Sequence, residues 1–324
     1  MPKMNESQIR AALQAARDLP EADRSRPTAV LGQVAAIGRL ERQREALFAA
    51  ALARTGWSGD RFEALLADSR SEAASFVEGQ RSAAARRSAQ AKEAARPVVE
   101  GRREALKQLT AATTGPAGTV EYFALDSPFL IWPTHGMSLD SSQIEPWNSR
   151  AQIHLHAGNS GGTELTGHEE LNFYFLWENP RAQYAIANVD GFLVLNGFCD
   201  ALAQGGILPG TRFSRLQVDT TLRLLEWWNQ PPTEPPAEAD QTQHAVNLTV
   251  DCGGFGDFTH VEIADVFRGY DLQYTSLAVP PQGVVVIEVG IAASYDLEDG
   301  SIDVDFSGSA FDVLCPFVQV ALLP

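Results

Sequence analysis

Residues 283–306 read GVVVIEVGIAASYDLEDGSIDVDF, and this stretch indicates the fold of the C-terminal part of the chain. Valine and isoleucine dominate its first half, Glu298-Asp-Gly300 forms a turn sequence, and apolar and polar residues alternate over 301–306. Alternation with a period of two is typical of a β-strand with one buried face. We therefore predict two strands, at 283–295 and 301–306, that are joined by a tight turn.

The same pattern recurs from residue 119 to the C-terminus. Asp190-Gly191 stands where a hairpin turn is expected, and 230–243 (QPPTEPPAEADQTQ) has the composition of an exposed loop. Short strands without intervening helices predict an antiparallel β-sandwich or jelly roll rather than a fold with a parallel sheet. The further strands are predicted at 119–125, 152–156, 170–177, 182–188, 191–198, 211–225, 245–252, 267–277 and 310–322.

Residues 1–113 are rich in Ala, Arg and Glu instead, and helical spacing predicts helices at 5–19, at 28–55 and from about residue 59 to 113. Over 78–96 (EGQRSAAARRSAQAKEAAR) the apolar face narrows to alanine, and Pro97 is expected to kink or restart the helix. A narrow face is completed either by a closed bundle within the chain or by other copies around a stalk.

The fold class predicted from these patterns is α+β with segregated parts. A long-helix bundle or stalk is expected at 1–113, followed by a β-sandwich or jelly-roll-like head domain at 114–324 that contains the Pro-rich loop at 230–243. In the stalk alternative, the alanine-rich helix makes the chain a homo-oligomer.

Charge separates the same two parts. Residues 1–116 hold 19 of the 25 basic and 14 of the 41 acidic residues, a net charge of +5, which leaves 6 basic and 27 acidic residues, or −21, for the rest. The acidic part argues against duplex nucleic acid or an anionic membrane as a partner. A basic stalk could also contact the acidic head of a neighbouring copy.

Three cysteines, Cys199, Cys252 and Cys315, lack metal-ligand spacing and allow at most one disulfide, so buried free thiols are expected. The start MPKMNESQIRAALQ has no apolar core of a signal peptide, and no run of 18 apolar residues occurs. The sequence thus predicts no membrane insertion and a cytoplasmic location, with non-classical export as an open alternative.

Histidines suggest one candidate metal site. His154 and His156 share one face of a predicted strand, and His168 follows the Gly-rich segment at 157–167. This arrangement resembles the cupin family, in which a jelly roll holds a metal through His-x-His plus a later Glu and His. Here the nearest Glu, Glu164, follows His156 by eight residues, which is later than in the family pattern. The resemblance implies a metal held by His154, His156 and His168.

Acidic residues suggest a second candidate metal site. Asp299, Asp303 and Asp305 crowd the segment DLEDGSIDVD at 296–305, and carboxylates on a turn can bind Ca²⁺. The alternative is an exposed acidic strand face that discourages edge pairing. Apart from this calcium alternative and the metal that the cupin resemblance implies, the sequence predicts no cofactor.

Trp147 is the candidate ligand-binding residue, because it lies in the loop sequence EPWNSR beside Asn148. An exposed Trp next to an amide suits stacking on a sugar ring, as in lectins and carbohydrate-binding modules on sandwich folds. Trp177, Trp227 and Trp228 end apolar runs and are predicted to lie in the core or an interface.

No nucleophile elbow, Walker A or dinucleotide fingerprint accompanies these residues, so the sequence favours a protein that is not an enzyme. The main prediction is a structural or interaction protein that self-assembles through its helices and presents a β-sandwich head to a protein or glycan ligand. The alternatives are a carbohydrate-binding head on an oligomerising stalk and a cupin-like metal-binding enzyme.

Overall fold

The computed structural model describes residues 59–112, 120–160, 164–205, 212–227, 237–253 and 258–324, together with the isolated positions 7, 11, 50, 51 and 54. The predicted helices at 5–19 and 28–55 therefore lie almost wholly outside the described residues. The helix α1 spans Gly59–Ala112 and runs through Pro97. The strands are β1 Glu121–Leu125, β2 Leu130–Pro133, β3 Ser138–Gln143, β4 Ser149–Gly158, β5 Glu164–Glu178, β6 Ala185–Gln204, β7 Arg212–Trp227, β8 Ala237–Cys252, β9 Thr259–Val279, β10 Val284–Glu298, β11 Gly300–Phe306 and β12 Asp312–Leu322.

The described strands form two antiparallel sheets. Sheet A has the order β1-β12-β4-β11-β6-β9, with β3 added at β4, and sheet B has the order β2-β5-β10-β7-β8. The two strands of the segment 283–306 belong to different sheets, because β10 lies in sheet B and β11 in sheet A. The predicted turn at Asp299, where φ is +50°, thus carries the chain between sheets and does not close a hairpin. The predicted antiparallel β-sandwich is confirmed.

The core lies between the sheets and is formed by the inward-facing side chains of both. Ile153 and Leu193 of sheet A and Phe173 and Ile287 of sheet B are fully buried in one apolar cluster. Cys199, Cys252 and Cys315 are buried and are not joined by a disulfide, as predicted, and burial raises the pKa of Cys199 and Cys315. Burial of this apolar surface is the main force that holds the sandwich together.

The predicted hairpin turn at Asp190-Gly191 is wrong, because both residues lie inside β6, between β9 and β12. A Cβ on Gly191 would meet Val289 of sheet B at 2.9 Å, so this glycine permits close packing of the sheets and makes no turn. Residues 191–200 of β6 are all buried, which shows that this strand is covered on both faces.

The predicted loop at 230–243 is also shorter than expected. Its residues 237–243 belong to β8, where Ala237 pairs with Glu226 of β7. Cross-strand pairing extends the strand over Glu and Gln residues, which have little intrinsic preference for β structure. The Pro-rich residues 230–236 lie outside the described residues.

The outer face of sheet A is covered by α1. Leu106 and Val99 pack on Phe192, Val194 and Phe317 near one end of the contact. Near the other end, α1 residues pack on Phe198 and Phe311, and the α1 residues concerned are Val77, Ala84 and Ala85.

Small side chains allow the helix to approach the sheet closely. Ala84 and Ser88 are completely buried, and the Ser88 hydroxyl donates a hydrogen bond of 2.6 Å to the carbonyl oxygen of Ala310. The alanine-rich segment is therefore a face shaped to contact a sheet.

The described part of α1 forms neither the predicted stalk nor a helical bundle, because sheet A of the same chain covers the narrow apolar face of this helix. The physical reason is that β6 carries Phe192, Val194 and Phe198 on the face opposite the core, which leaves the sheet with an apolar strip to cover. The division into domains at residue 113 and the homo-oligomer stay predictions. None of the described helical residues forms a segment long and apolar enough to cross a bilayer.

Ion pairs join the basic helix to the acidic sheet. Arg81 lies 3.1 Å from Asp303, 3.4 Å from Asp200 and 3.7 Å from Asp305, so that one guanidinium forms ion pairs with three carboxylates. Three further pairs lie along α1, namely Arg87 with Asp265, Lys92 with Asp312 at 3.0 Å and Arg102 with Asp271 at 2.8 Å. The opposite charges of the two parts of the sequence thus meet within one chain.

One carboxyl near Arg81, that of Asp200, has a raised pKa. Burial, reinforced by the neighbouring charge of Asp303, raises the pKa of Asp200 to about 6, although Arg81 and His156 act in the opposite direction. Asp200 therefore holds a proton more tightly in the folded protein than in the unfolded chain, where its pKa is ordinary.

We predict that Ala84→Leu destabilises the protein by about 1–3 kcal/mol, because the larger side chain forces α1 away from Phe198. Ala94→Leu is the control, since Ala94 is exposed on the same helix and its replacement should change the free energy of unfolding by less than about 0.5 kcal/mol. Urea unfolding of both variants measures the difference. Equal effects would contradict the packing of α1 on sheet A.

We also predict a specific pH dependence at Asp200. The stability that the protonated carboxyl contributes is fully present below the unfolded pKa of 3.8 and is lost as pH rises through about 6. Asp200→Asn does not titrate, so its stability relative to the unmodified protein should rise by about 2 kcal/mol between pH 4 and pH 7.5. Urea midpoints at several pH values, with the exposed Asp251→Asn as control, measure this. A difference independent of pH would contradict the prediction.

Candidate functional site: a pocket between the helix and sheet A

A cavity of about 430 Å³ opens where α1 crosses sheet A beside the start of β4. Its volume falls in the range of small-molecule binding sites. We call it the Trp147 pocket; the residues that line it are Lys92, Ala95, Arg96, Val99, Glu100 and Arg103 of α1, and Trp147, Asn148, Arg150, Val194, Asn196, Asp312 and Leu314 of the sandwich.

One side of the pocket is formed by residues that share a face of α1. Arg96, Val99 and Arg103 follow one another at intervals of three or four residues and so lie on one face of α1. Val99 contacts the apolar strip of sheet A, and the charged residues flank it over the opening. The docking of the helix therefore builds half of the pocket wall.

On the other side, a tight turn before β4 positions Trp147 and Asn148. The backbone N–H of Trp147 donates to the carbonyl oxygen of Asp126 at 2.8 Å, and that of Asn148 donates to Glu145 at 3.0 Å. Trp147 has a φ of +65°, which is uncommon for a bulky residue and is maintained here by these bonds. The turn thus holds the indole in a defined place on the pocket wall.

The indole ring is fixed by aromatic and cationic neighbours. Its centroid lies 5.9 Å from that of Phe317, in a tilted arrangement. The guanidinium carbon of Arg103 and the ammonium of Lys107 each lie 5.5 Å from the ring centroid, within the range of cation–π attraction. The side chain remains partly exposed.

One acid in the pocket has a hydrogen-bond donor on each of its carboxylate oxygens. Asp312 accepts 3.0 Å and 2.9 Å hydrogen bonds from Lys92 and Asn196, one on each carboxylate oxygen. The Arg150 Nε donates to the side-chain oxygen of Gln143 at 2.8 Å. The Nε of Arg103 is buried and has no hydrogen-bond partner.

This chemistry suits the binding of an oxygen-rich molecule. An aromatic wall offers an apolar surface, while amide and guanidinium groups offer hydrogen-bond donors around it. Among the described lining residues there is no Ser, Cys or His, so none supplies a hydroxyl or thiol nucleophile or an imidazole base.

The histidines predicted as metal ligands lie elsewhere. On the outer face of sheet A, His154 Nε2 is 3.1 Å and His156 Nδ1 is 3.4 Å from a carboxylate oxygen of Asp303. His168 lies in sheet B, where its ring contacts Ser294 at 2.9 Å and Glu170 at 3.1 Å. The structure therefore brings His154 and His156 together and leaves His168 on the other sheet.

The acidic residues predicted to bind calcium are divided as well. Asp299, at the turn between the sheets, pairs with Arg212 at 2.9 Å, whereas Asp303 and Asp305 face Arg81. In the part of the chain that the structure describes, no three His, Cys, Asp or Glu side chains gather as metal ligands would. Metal binding stays a prediction from sequence.

Sheet B carries a separate charged network across β5, β7 and β10. Arg223 pairs with Glu288 at 3.1 Å and with Glu170 at 3.2 Å. Burial acts to raise the pKa of Glu170, but the hydrogen bond from His168 and the charge of Arg223 outweigh burial and hold that pKa well below its usual range. These groups satisfy one another, which indicates a structural role.

Trp147, which the sequence predicted as a ligand-binding residue, lines the pocket, but its neighbours there were not predicted. Arg150 belongs to the same EPWNSR segment, so its proximity was available from the sequence. Arg103 and Asn196 come from distant segments: the docking of α1 brings Arg103 to the pocket, and the pairing of β6 with β12 brings Asn196 there.

No family model matches the chain, and no curated protein sequence matches it. Among solved structures, TmCBM61 in complex with beta-1,4-galactotriose is similar at 9% identity and a TM-score of 0.23, over 60% of this chain and 89% of that chain. A structure of carbohydrate-binding modules from the beta-sandwich super family is similar at 9% identity and a TM-score of 0.22, over 63% and 59%.

A structure of the infectious bursal disease virus Gx strain is similar at 10% identity and a TM-score of 0.17, over 60% of this chain and 37% of that chain. The chain thus spans less than two thirds of the length of the second and third of these structures. At such TM-scores the likenesses carry no conclusion about function, which has to be argued from the pocket itself.

Proposed function

We propose that this protein binds carbohydrate, and that the Trp147 pocket is the binding site. The observation that supports this most is a partly exposed indole in the wall of a cavity of about 430 Å³ that also presents amide and guanidinium donors. The C–H face of a pyranose ring packs on an aromatic ring, and its hydroxyl groups need convergent polar partners.

The preformed position of Trp147 favours binding. Its backbone bond to Asp126 and its contact with Phe317 fix the ring before a ligand arrives. A fixed aromatic surface loses little conformational freedom on binding, and the ligand therefore keeps more of the interaction free energy. Asn148, which is exposed beside the ring, is placed to contact ring hydroxyls.

The helix takes part in the proposed site. Six of the thirteen residues around the cavity belong to α1, so the sandwich without this helix would present a flat surface at Trp147. The proposal therefore assigns α1 a role in ligand binding as well as in covering sheet A.

Self-assembly is a second candidate, favoured by exposed apolar residues on α1. Phe76 and Val98 are 52% and 55% exposed, and Leu65 and Leu109 are also exposed. Successive members of this set are separated by 11 or 22 residues, which at about 3.6 residues per turn places them on one side of the helix. A second copy of the chain could cover that side.

We predict that Trp147→Ala abolishes glycan binding or weakens it about tenfold, since ring contacts with an aromatic side chain contribute roughly 0.5–1.5 kcal/mol beyond the area that they bury. Binding of the full chain to a broad glycan panel, followed by calorimetry on each hit, measures this. Trp132→Ala is the matched control, because Trp132 is also partly exposed but lies in sheet B.

Circular dichroism checks that both variants fold. If Trp147→Ala does not fold, Asn148→Ala replaces it, because Asn148 is exposed and lines the same cavity. Retention of full affinity by the folded variants, or no binding to any glycan, would contradict the proposal.

For self-assembly, we predict that Phe76→Ser with Val98→Ser lowers the mass of the particle in solution, because the change removes exposed apolar surface without touching the contact with sheet A. Light scattering on the full chain measures the mass. Arg86→Ser, also exposed on α1, is the control. A monomeric unmodified protein, or an unchanged mass of the double variant, would contradict this second candidate.

A further inference from the structure

The Trp147 pocket is basic, although the protein is acidic. Four cationic residues, Lys92, Arg96, Arg103 and Arg150, line it beside two acids, Glu100 and Asp312. This local excess of positive charge stands in a chain whose net charge is −16. The excess is therefore a local property of the pocket, and it needs a local explanation.

Two of the cations are already neutralised. Lys92 pairs with Asp312 at 3.0 Å, and the other oxygen of this carboxylate accepts from Asn196. Arg96 pairs with Glu93 at 2.6 Å on the exposed side of α1. Contacts within the protein therefore explain the presence of Lys92 and Arg96.

The other two cations, Arg103 and Arg150, have no carboxylate within ion-pair distance among the described residues. Arg150 donates through Nε to the neutral Gln143, and Arg103 leans over the Trp147 ring while its own buried Nε lacks an acceptor. A buried donor without an acceptor is costly, so a ligand that brings an acceptor is favoured there.

The chemistry of the guanidinium group defines the missing partner. Its planar set of donors matches the two oxygens of a carboxylate or of a sulfate, and charge-assisted bonds of this kind are about twice as strong as neutral ones. Both guanidinium groups lie on the same cavity as the indole. A ligand that satisfies all three combines a flat apolar ring face with an anionic group.

We infer that the pocket selects acidic sugars: the pyranose ring packs on Trp147, and its carboxylate or sulfate is bound by Arg103 and Arg150. This inference rests on the proposed carbohydrate binding and adds the class of sugar. Neutral sugars lack the anionic oxygens that these two side chains need. The remaining negative surface of the protein would repel a polyanion that contacted it outside the pocket.

Matched pairs of oligosaccharides test the inference by calorimetry on the full chain. Galacturonate and galactose oligomers, and glucuronate and glucose oligomers, differ within each pair only in the carboxylate at C6, and sulfated galactose tests the other anion. We expect at least one acidic member to bind about tenfold or more tightly than its neutral partner at low salt. The preference should decrease as salt rises to about 0.5 M, because salt screens charge.

Charge variants localise the effect. Arg103→Gln and Arg150→Gln should each weaken binding of the acidic sugar about tenfold and weaken binding of the neutral partner clearly less, because the glutamine amide still donates hydrogen bonds to hydroxyl groups. Arg86→Gln removes the same charge from an exposed position on α1 outside the pocket and should change neither. Arg103→Lys keeps the charge but not the planar donors, so it should retain part of the preference. If Arg103→Gln does not fold, Arg150→Gln carries the test.

The outcomes separate this inference from the proposed function. Equal binding of acidic and neutral sugars, lost in Trp147→Ala, would overturn the inference and leave carbohydrate binding in place. No binding of any sugar by the folded protein would overturn both. Acetate or phosphate bound as tightly as the uronate would also overturn the inference, because it would show a site for small anions without recognition of a sugar ring.

Discussion

The contact between α1 and the outer face of sheet A is the interaction on which the rest of the structure depends. A sandwich buries the inner faces of its sheets, but β6 also presents Phe192, Val194 and Phe198 on the outside, and these need a cover. The helix supplies it through small residues that permit close approach and through cations that meet the acids of β6, β9, β11 and β12. These partly buried ion pairs fix the position of α1 along sheet A more than they add net stability, since the cost of removing water offsets much of their attraction.

The pocket follows from the same contact. Alanines bring α1 close to the sheet around Ser88, whereas farther along the helix longer basic side chains and the turn at Trp147 line a cavity between the two. The resulting cavity is walled by residues from both parts of the chain. Ligand binding and the docking of α1 are therefore coupled: a ligand that contacts both Arg103 and Trp147 stabilises the docked helix by mass action.

Local pattern predicted most of the sandwich, because alternation over stretches such as 152–156 and 301–306 reports which face is buried, and the unbroken apolar run after residue 284 indicates a strand that is buried on both faces. It failed where tertiary contacts override local signals: Asp190-Gly191 continues a strand because it pairs on both sides, and 237–243 is drawn into β8 by β7. The narrow alanine face was recognised but not its partner, since a helix sequence does not state whether a helix or a sheet covers it. At the site, Trp147 was found by its residue type, whereas Arg103 depends on a contact between segments far apart in sequence.

Carbodiimide cross-linking in a mixture of ¹⁵N-labelled and unlabelled chains tests the docking of α1 most directly. The chain has only three lysines, Lys3, Lys92 and Lys107, so the products are few. In the Arg102→Lys variant an amine faces the exposed carboxylate of Asp271, with which Arg102 pairs at 2.8 Å. We predict an amide link between residues 102 and 271 in which both peptides carry the same isotope. Links that mix the isotopes, or links from residue 102 to other helices alone, would contradict it.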